Sequence, residues 1–154
     1  MKELVNKLID KNKTISTMES ATGGAVVSAI TNVDGSSRVL KFSAITYSNE
    51  YKIKMGVKKE TIDKYSVYSI QVAKEMSFNI SKFSNSNYGV GITGKLNRVD
   101  ENNLFGDDST VFISIYDRDN DKYYNEIVKA IKTNRIDNKR LVIDKIEELM
   151  LKII

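Results

Sequence analysis

Apolar positions recur at helical spacing near both ends and in the middle of the chain. Between them lie short blocks with a strand's character. Leu4, Val5, Leu8 and Ile9 share one face of an amphipathic helix predicted over 2–12. Thr14 to Met18 is short, alternating and β-rich, so it predicts a strand, and 19–24 predicts a turn of small and polar residues. A small-residue helix follows over 22–32, with Val26, Val27 and Ile30 on its buried side. Asp34-Gly35-Ser36-Ser37 marks a loop, and 39–47 predicts a second strand containing Phe42, Ile45 and Thr46. Short helices are predicted near 48–54, ended by Gly56, and near 61–65.

The strongest helical signal is Val72, Met76, Ile80 and Phe83, at i, i+4, i+8 and i+11, which predicts a helix over 69–83. A strand over 88–93 runs into Gly94, and a polar loop over 95–108 follows. Segments 110–116 and 122–131 flank the turn 117–121 as a β-hairpin. Leu141, Val142, Ile146, Leu149 and Ile153 predict a terminal helix near 138–153, with Asn134 or Asp137 as its N-cap. Alternating helices and strands followed by a hairpin predict an α/β fold. The expected form is a three-layer α/β/α sandwich with a mixed central sheet, as one domain over 1–154.

Composition narrows the chemistry more than it narrows the fold. The chain has no cysteine and no histidine. Disulfides, thiolate catalysis and zinc–sulfur sites are therefore excluded, as is any Ser-His-Asp triad. Proton transfer near neutral pH would have to use lysine, tyrosine or a carboxylate of shifted pKa. The apolar share of 41% excludes a disordered chain. No apolar run nears the roughly 20 residues that span a bilayer, so no membrane association is expected. The amino terminus lacks the basic, apolar and small-residue plan of a signal peptide, so a cytoplasmic protein is expected. The net charge is +4, but no basic stripe carries interleaved aromatics, so nucleic acid is not an expected partner. A mildly basic surface does suit a small phosphorylated substrate.

Four segments could carry chemistry. In Thr17-Met18-Glu19-Ser20-Ala21-Thr22-Gly23-Gly24 a strand ends, Ser20 sits at the turn and two glycines open a helix. That arrangement would aim free helix N–H groups at a phosphate or an oxyanion beside the Ser20 hydroxyl. The same residues also read as an ordinary helix cap. In Thr46-Tyr47-Ser48-Asn49-Glu50-Tyr51-Lys52, Lys52 follows a neighbouring strand end and could meet Ser20. A desolvated lysine can then serve as the serine's base, with Tyr47 relaying a proton or holding the lysine. A plain Tyr/Lys surface pair fits the spacing too. Asp34-Gly35-Ser36-Ser37 could form an anion nest, and Gly91-Ile92-Thr93-Gly94 ends a strand with a hydroxyl; both also read as ordinary loops.

Taken in order, these motifs resemble the CinA C-terminal domain family, the nicotinamide-nucleotide amidohydrolases. The resemblance runs from about Ile15 to Ile80 and weakens beyond. It rests on Thr17 through Gly24, Gly35-Ser36-Ser37, Thr46 through Lys52, Gly56-Val57, Thr61-Ile62 and Tyr65. It implies hydrolysis of the carboxamide of nicotinamide mononucleotide to nicotinic acid mononucleotide and ammonia, with no cofactor and no metal. It implies Ser20 as nucleophile, Lys52 as general base and Tyr47 as third catalytic member. Gly35 and Thr93 match oxyanion positions, and Thr22, Gly23, Ser36 and Asn49 match pocket positions. Arg135 and Arg140 loosely match basic residues near the last helix. The family also implies a homo-oligomer.

One departure stands out. The family's Ala-Gly-Pro segment after the strand ending at Gly94 is replaced by Lys95-Leu96-Asn97-Arg98. The loop over 95–108 holds six charged residues and few apolar anchors, so it is expected to be loosely held without ligand. Lys95 and Arg98 could then make phosphate contacts. The replaced loop also keeps a second reading open, in which the chain is a catalytically weak or inactive relative that binds a nucleotide or a protein.

Overall fold

The computed structural model describes all residues, Met1–Ile154. The helices are α1 (Lys2–Asp10), α2 (Ala25–Thr31), α3 (Asn49–Lys54), α4 (Lys59–Tyr65), α5 (Ile70–Ser84) and α6 (Arg135–Ile153). The strands are β1 (Ile15–Glu19), β2 (Leu40–Ile45), β3 (Tyr88–Gly94), β4 (Thr110–Asp117) and β5 (Lys122–Lys129). They form one mixed sheet in the order β2-β1-β3-β4-β5. β1 runs parallel to both β2 and β3, while β4 and β5 are antiparallel additions. No helix is long and apolar enough to cross a membrane.

Alternation along the strands divides the core in two. Val90 and Ile92 of β3, with Val111, Ile113 and Ile115 of β4, face α1, α2 and α6 and join a cluster of 20 buried apolar residues. Met18 of β1 faces the other way, into a cluster of six with Val72, Met76 and Ile80 of α5. Full burial of such a side chain contributes about 1.5–3 kcal/mol, so the first face carries the larger share of the stability. Phe83, predicted in the buried stripe of α5, is instead exposed. It lies in the helix's last turn, on the side turned toward the sheet edge, and its ring sits 5.1 Å from that of Phe42 on the edge strand β2.

Glycine at two positions lets α5 lie against β3. A Cβ on Gly89 would come 2.0 Å from the Ser77 carbonyl oxygen, and one on Gly91 would come 2.2 Å from that of Ala73. Ala73, Ser77 and Ser81 supply the small side chains opposite.

The helix predicted over 22–32 begins only at Ala25. Gly23 and Gly24 have φ of +59° and +94°, left-handed values that no helical turn uses. The terminal helix starts earlier than predicted, at Arg135. Asn134 is its N-cap, accepting the Asp137 amide at 2.8 Å.

Replacing Gly91 with alanine should cost about 3 kcal/mol, because the new methyl meets helix backbone rather than a movable side chain. Urea unfolding measures it. A loss under about 1 kcal/mol would show that α5 does not press on β3.

Candidate active site

The parallel part of the sheet sets the position. The chain leaves β1 through α2 to reach β2, then returns through α3, α4 and α5 to β3, on the other side of β1. Connections that diverge this way open a crevice beyond the carboxyl end of the middle strand. Ser20 is the first residue past β1, held by its amide to the Ile92 carbonyl at 3.0 Å. It lines a cleft of about 530 Å³ with Ala21, Tyr47, Asn49, Tyr68 and Asp100, a volume suited to a small ligand.

Glu19 organises this corner. Its side chain is fully buried and pairs with no cation. Five donors surround it instead. Oε2 accepts from the Thr22 hydroxyl at 2.7 Å, the Gly24 amide at 3.0 Å and the Val26 amide at 3.1 Å. Oε1 accepts from the Val27 amide at 2.8 Å and the Thr17 hydroxyl at 3.1 Å. The free N–H groups expected to greet a ligand at the start of α2 are therefore taken by the protein's own carboxylate. The turn's remaining amides are different: those of Ala21 and Thr22 donate to no acceptor in the chain.

Lys52 reaches Ser20 from the side. Ser48 caps α3, accepting the Tyr51 amide at 3.3 Å, and the short helix turns Lys52 inward until it is only 1% exposed. Its Nζ lies 2.9 Å from Ser20 Oγ and 2.8 Å from the Thr46 carbonyl oxygen. Burial lowers its pKa from 10.5 to about 8, against an opposing pull from the Asp100 carboxylate. When neutral, the amine keeps one N–H on Thr46 and can turn its lone pair to the Ser20 hydroxyl.

Tyr47 lines the same cleft but bonds to neither partner. It is 65% exposed, and its hydroxyl accepts from Arg135 at 3.5 Å. Asn49 lines the cleft as well. Thr22 spends its hydroxyl on Glu19, and Gly23 lies exposed beside the Lys139 side chain. Thr93 is buried and donates its hydroxyl to the Val67 carbonyl at 2.9 Å.

Gly35 and Ser36 are not brought to Ser20. They lie at the amino end of β2, where the Val39 carbonyl takes the Ile15 amide and Gly35 faces Ile9. The length of β1, about 17 Å for five residues, separates them from the serine within this chain. Arg140 also stands apart, exposed and 3.4 Å from Asp137. Lys139 was not singled out from the sequence, although its i+4 spacing from Arg135 puts both on one helix face.

Hydrogen bonds fasten the cleft-facing part of the 95–108 loop, while Leu104 and Phe105 farther along stand exposed. Asn49 donates to Asn103 at 3.0 Å, Asn103 donates to Asp100 at 3.0 Å, and the Tyr68 hydroxyl donates to the same carboxylate oxygen. Lys95 is buried and paired with Asp108 at 2.9 Å, so its charge is already compensated. Arg98 and Arg135 line the cleft mouth without a carboxylate partner. No three acidic side chains gather closely enough to hold a metal ion.

The family model described as the CinA C-terminal domain matches residues 1–149. The chain belongs to the CinA C-terminal domain family. A Clostridium kluyveri relative, named for competence-damage induction, is 47% identical over 96 residues, 61% of this chain and 23% of that protein. A CinA-like protein of Flavobacterium psychrophilum is 43% identical over 111 residues, 70% of this chain and 26% of its own length. The chain thus spans about a quarter of these curated relatives. Among solved structures, the competence/damage inducible protein CihA of Agrobacterium tumefaciens superposes with a TM-score of 0.84 at 25% identity. That match covers 98% of this chain and 93% of that one. A CinA superfamily protein of Escherichia coli gives 0.86 at 20% identity, over 99% and 87%, and shows the shared fold.

Replacing Glu19 with glutamine keeps the shape but turns an NH2 group toward N–H donors. The expected cost is about 3 kcal/mol, against under about 0.5 kcal/mol for the same change at exposed Glu50. Equal unfolding midpoints in urea would show that the carboxylate does not organise the turn.

Proposed function

We propose that this chain hydrolyses the carboxamide of nicotinamide mononucleotide, releasing nicotinic acid mononucleotide and ammonia. The observation that carries the reading is the 2.9 Å contact between Ser20 Oγ and a buried lysine that has no carboxylate partner. A lysine in that setting has a pKa near the working range and a lone pair available to take a proton. The family resemblance supplies the substrate class. The unpaired Arg98 and Arg135 at the mouth suit its phosphate.

The steps follow from the geometry. Neutral Lys52 takes the Ser20 proton as Oγ attacks the carboxamide carbon. The carbonyl oxygen becomes an oxyanion, and the unengaged amides of Ala21 and Thr22, next to Ser20 in the chain, are candidate donors to it. Lys52 then returns the proton to the leaving nitrogen, the C–N bond breaks, and ammonia departs from a Ser20 ester. A water gives its proton to Lys52 and attacks that ester. Ser20 leaves with the proton, and the free acid is the second product. Tyr47, exposed and beside Arg135, serves as a wall against the substrate rather than as a link in this proton path.

Ammonia release by the purified chain tests the proposal. Ser20→Ala should reduce it to background, and Lys52→Met should lower kcat/KM by about 10³-fold. Lys52 acts as its neutral form, and burial holds its pKa down to about 8. The rate should therefore rise about tenfold per pH unit below that value and level off above it. A rate that falls with pH across this window would rule out the lysine as base. Nucleotide binding without any ammonia release would favour the non-catalytic reading.

A further inference from the structure

Asp100 belongs to the loop that departs from the family pattern, and it faces the same cleft as Ser20. Its carboxylate is gripped from three sides. Tyr68 and Asn103 donate to Oδ2, and the Asn102 amide donates to Oδ1 at 3.0 Å. Asn103 is itself held by Asn49 at the start of α3, so the carboxylate is fixed relative to the Lys52 helix. Burial alone would raise its pKa, but the bonds from Tyr68, Asn103 and Asn102, with the Lys95 charge, lower it overall. It is ionised at neutral pH.

Nothing cancels that charge directly. No lysine or arginine makes an ion pair with Asp100: Lys95 is paired with Asp108, and Lys52, whose amine contacts Ser20 and Thr46 instead, is neutral above about pH 8. Above that pH the cleft is negative on the Asp100 side, while exposed Arg98 and Arg135 outweigh Glu101 at the mouth. The ligand that complements this pattern carries a cation beside the scissile bond and an anion farther out. A pyridinium ring bearing a carboxamide, with a phosphate on its ribose, has that distribution.

We propose that Asp100, held by Tyr68 and Asn103, is a specificity-determining residue that selects carboxamides on a cationic aromatic ring over the same carboxamides on a neutral ring. This deepens the hydrolase reading and rests on it for the ligand class. It assigns a function to the replaced loop: the lost backbone segment is exchanged for a fixed negative charge.

Binding separates the two ideas. Nicotinamide mononucleotide and its reduced 1,4-dihydro form share the carboxamide, ribose and phosphate, and differ in ring charge. Calorimetry at about pH 9 with Ser20→Ala protein, where Lys52 is largely neutral, should find the oxidised form bound about tenfold more tightly. Adding Asp100→Asn should bring the ratio to about one while changing affinity for the reduced form less than about twofold. Adding Glu101→Gln, which removes a charge from the same rim outside the hydrogen-bonded chain, should leave the ratio intact. Tyr68→Phe, which loosens the carboxylate without removing it, should lower the ratio partway. A ratio unchanged by Asp100→Asn, an equal fall with Glu101→Gln, or no binding of either form overturns the assignment. If the ratio holds but the unaltered chain releases no ammonia, the hydrolase reading fails and the binding assignment stands. Turnover with equal affinities has the opposite meaning.

Discussion

Glu19 puts an uncompensated carboxylate at the end of a fully buried strand, and the next eight residues are arranged to satisfy it. Leaving a buried charge without donors would cost several kcal/mol, so the turn must wrap it. Wrapping requires left-handed backbone at Gly23 and Gly24, which delays the helix to Ala25. The same wrapping leaves Ser20 at the outer edge of the turn, with the Ala21 and Thr22 amides unengaged. The serine's position thus follows from an electrostatic demand made by its neighbour.

The rest of the site is placed by how the chain crosses the sheet. Glycines in β3 let α5 approach, and α3 and α4 fill the connection from β2 to that helix. Lys52 is carried in on the shortest α-helix of the structure and buried along its whole stem. Acidic and basic groups then divide the cleft, with the arginines outside and Asp100 deeper.

Much of this could be read from the residue pattern, because periodicity reports local burial. The stripe Val72, Met76 and Ile80 marked α5, and the hairpin around 117–121 marked β4 and β5. Phe83 continued the stripe in sequence but not in space, since the sheet ends beneath it. Gly35 shows a different limit: its motif lies close to Ser20 in sequence, yet β1 separates them by its full length. The pairing of Ser20 with Lys52 was legible because parallel strand ends share a crevice. The chain from Asn49 through Asn103 to Asp100 and Tyr68 was not, because it depends on the path of an irregular loop, which no periodicity records. Nothing in the motif itself signals the role of Glu19, because a strand residue capping the following helix has no spacing rule as familiar as the capping box.

Burying Lys52 also has a consequence for the fold itself. Its folded pKa lies near 8 and its unfolded value near 10.5. The stability it can contribute is complete above the unfolded value and is lost as pH falls through the folded one. At neutral pH the chain therefore bears a handicap on the order of 3 kcal/mol for keeping that amine where it is. An apolar residue of similar length would relieve the handicap and remove the amine that contacts Ser20. Stability alone therefore favours losing that contact, and its loss would leave the architecture undisturbed.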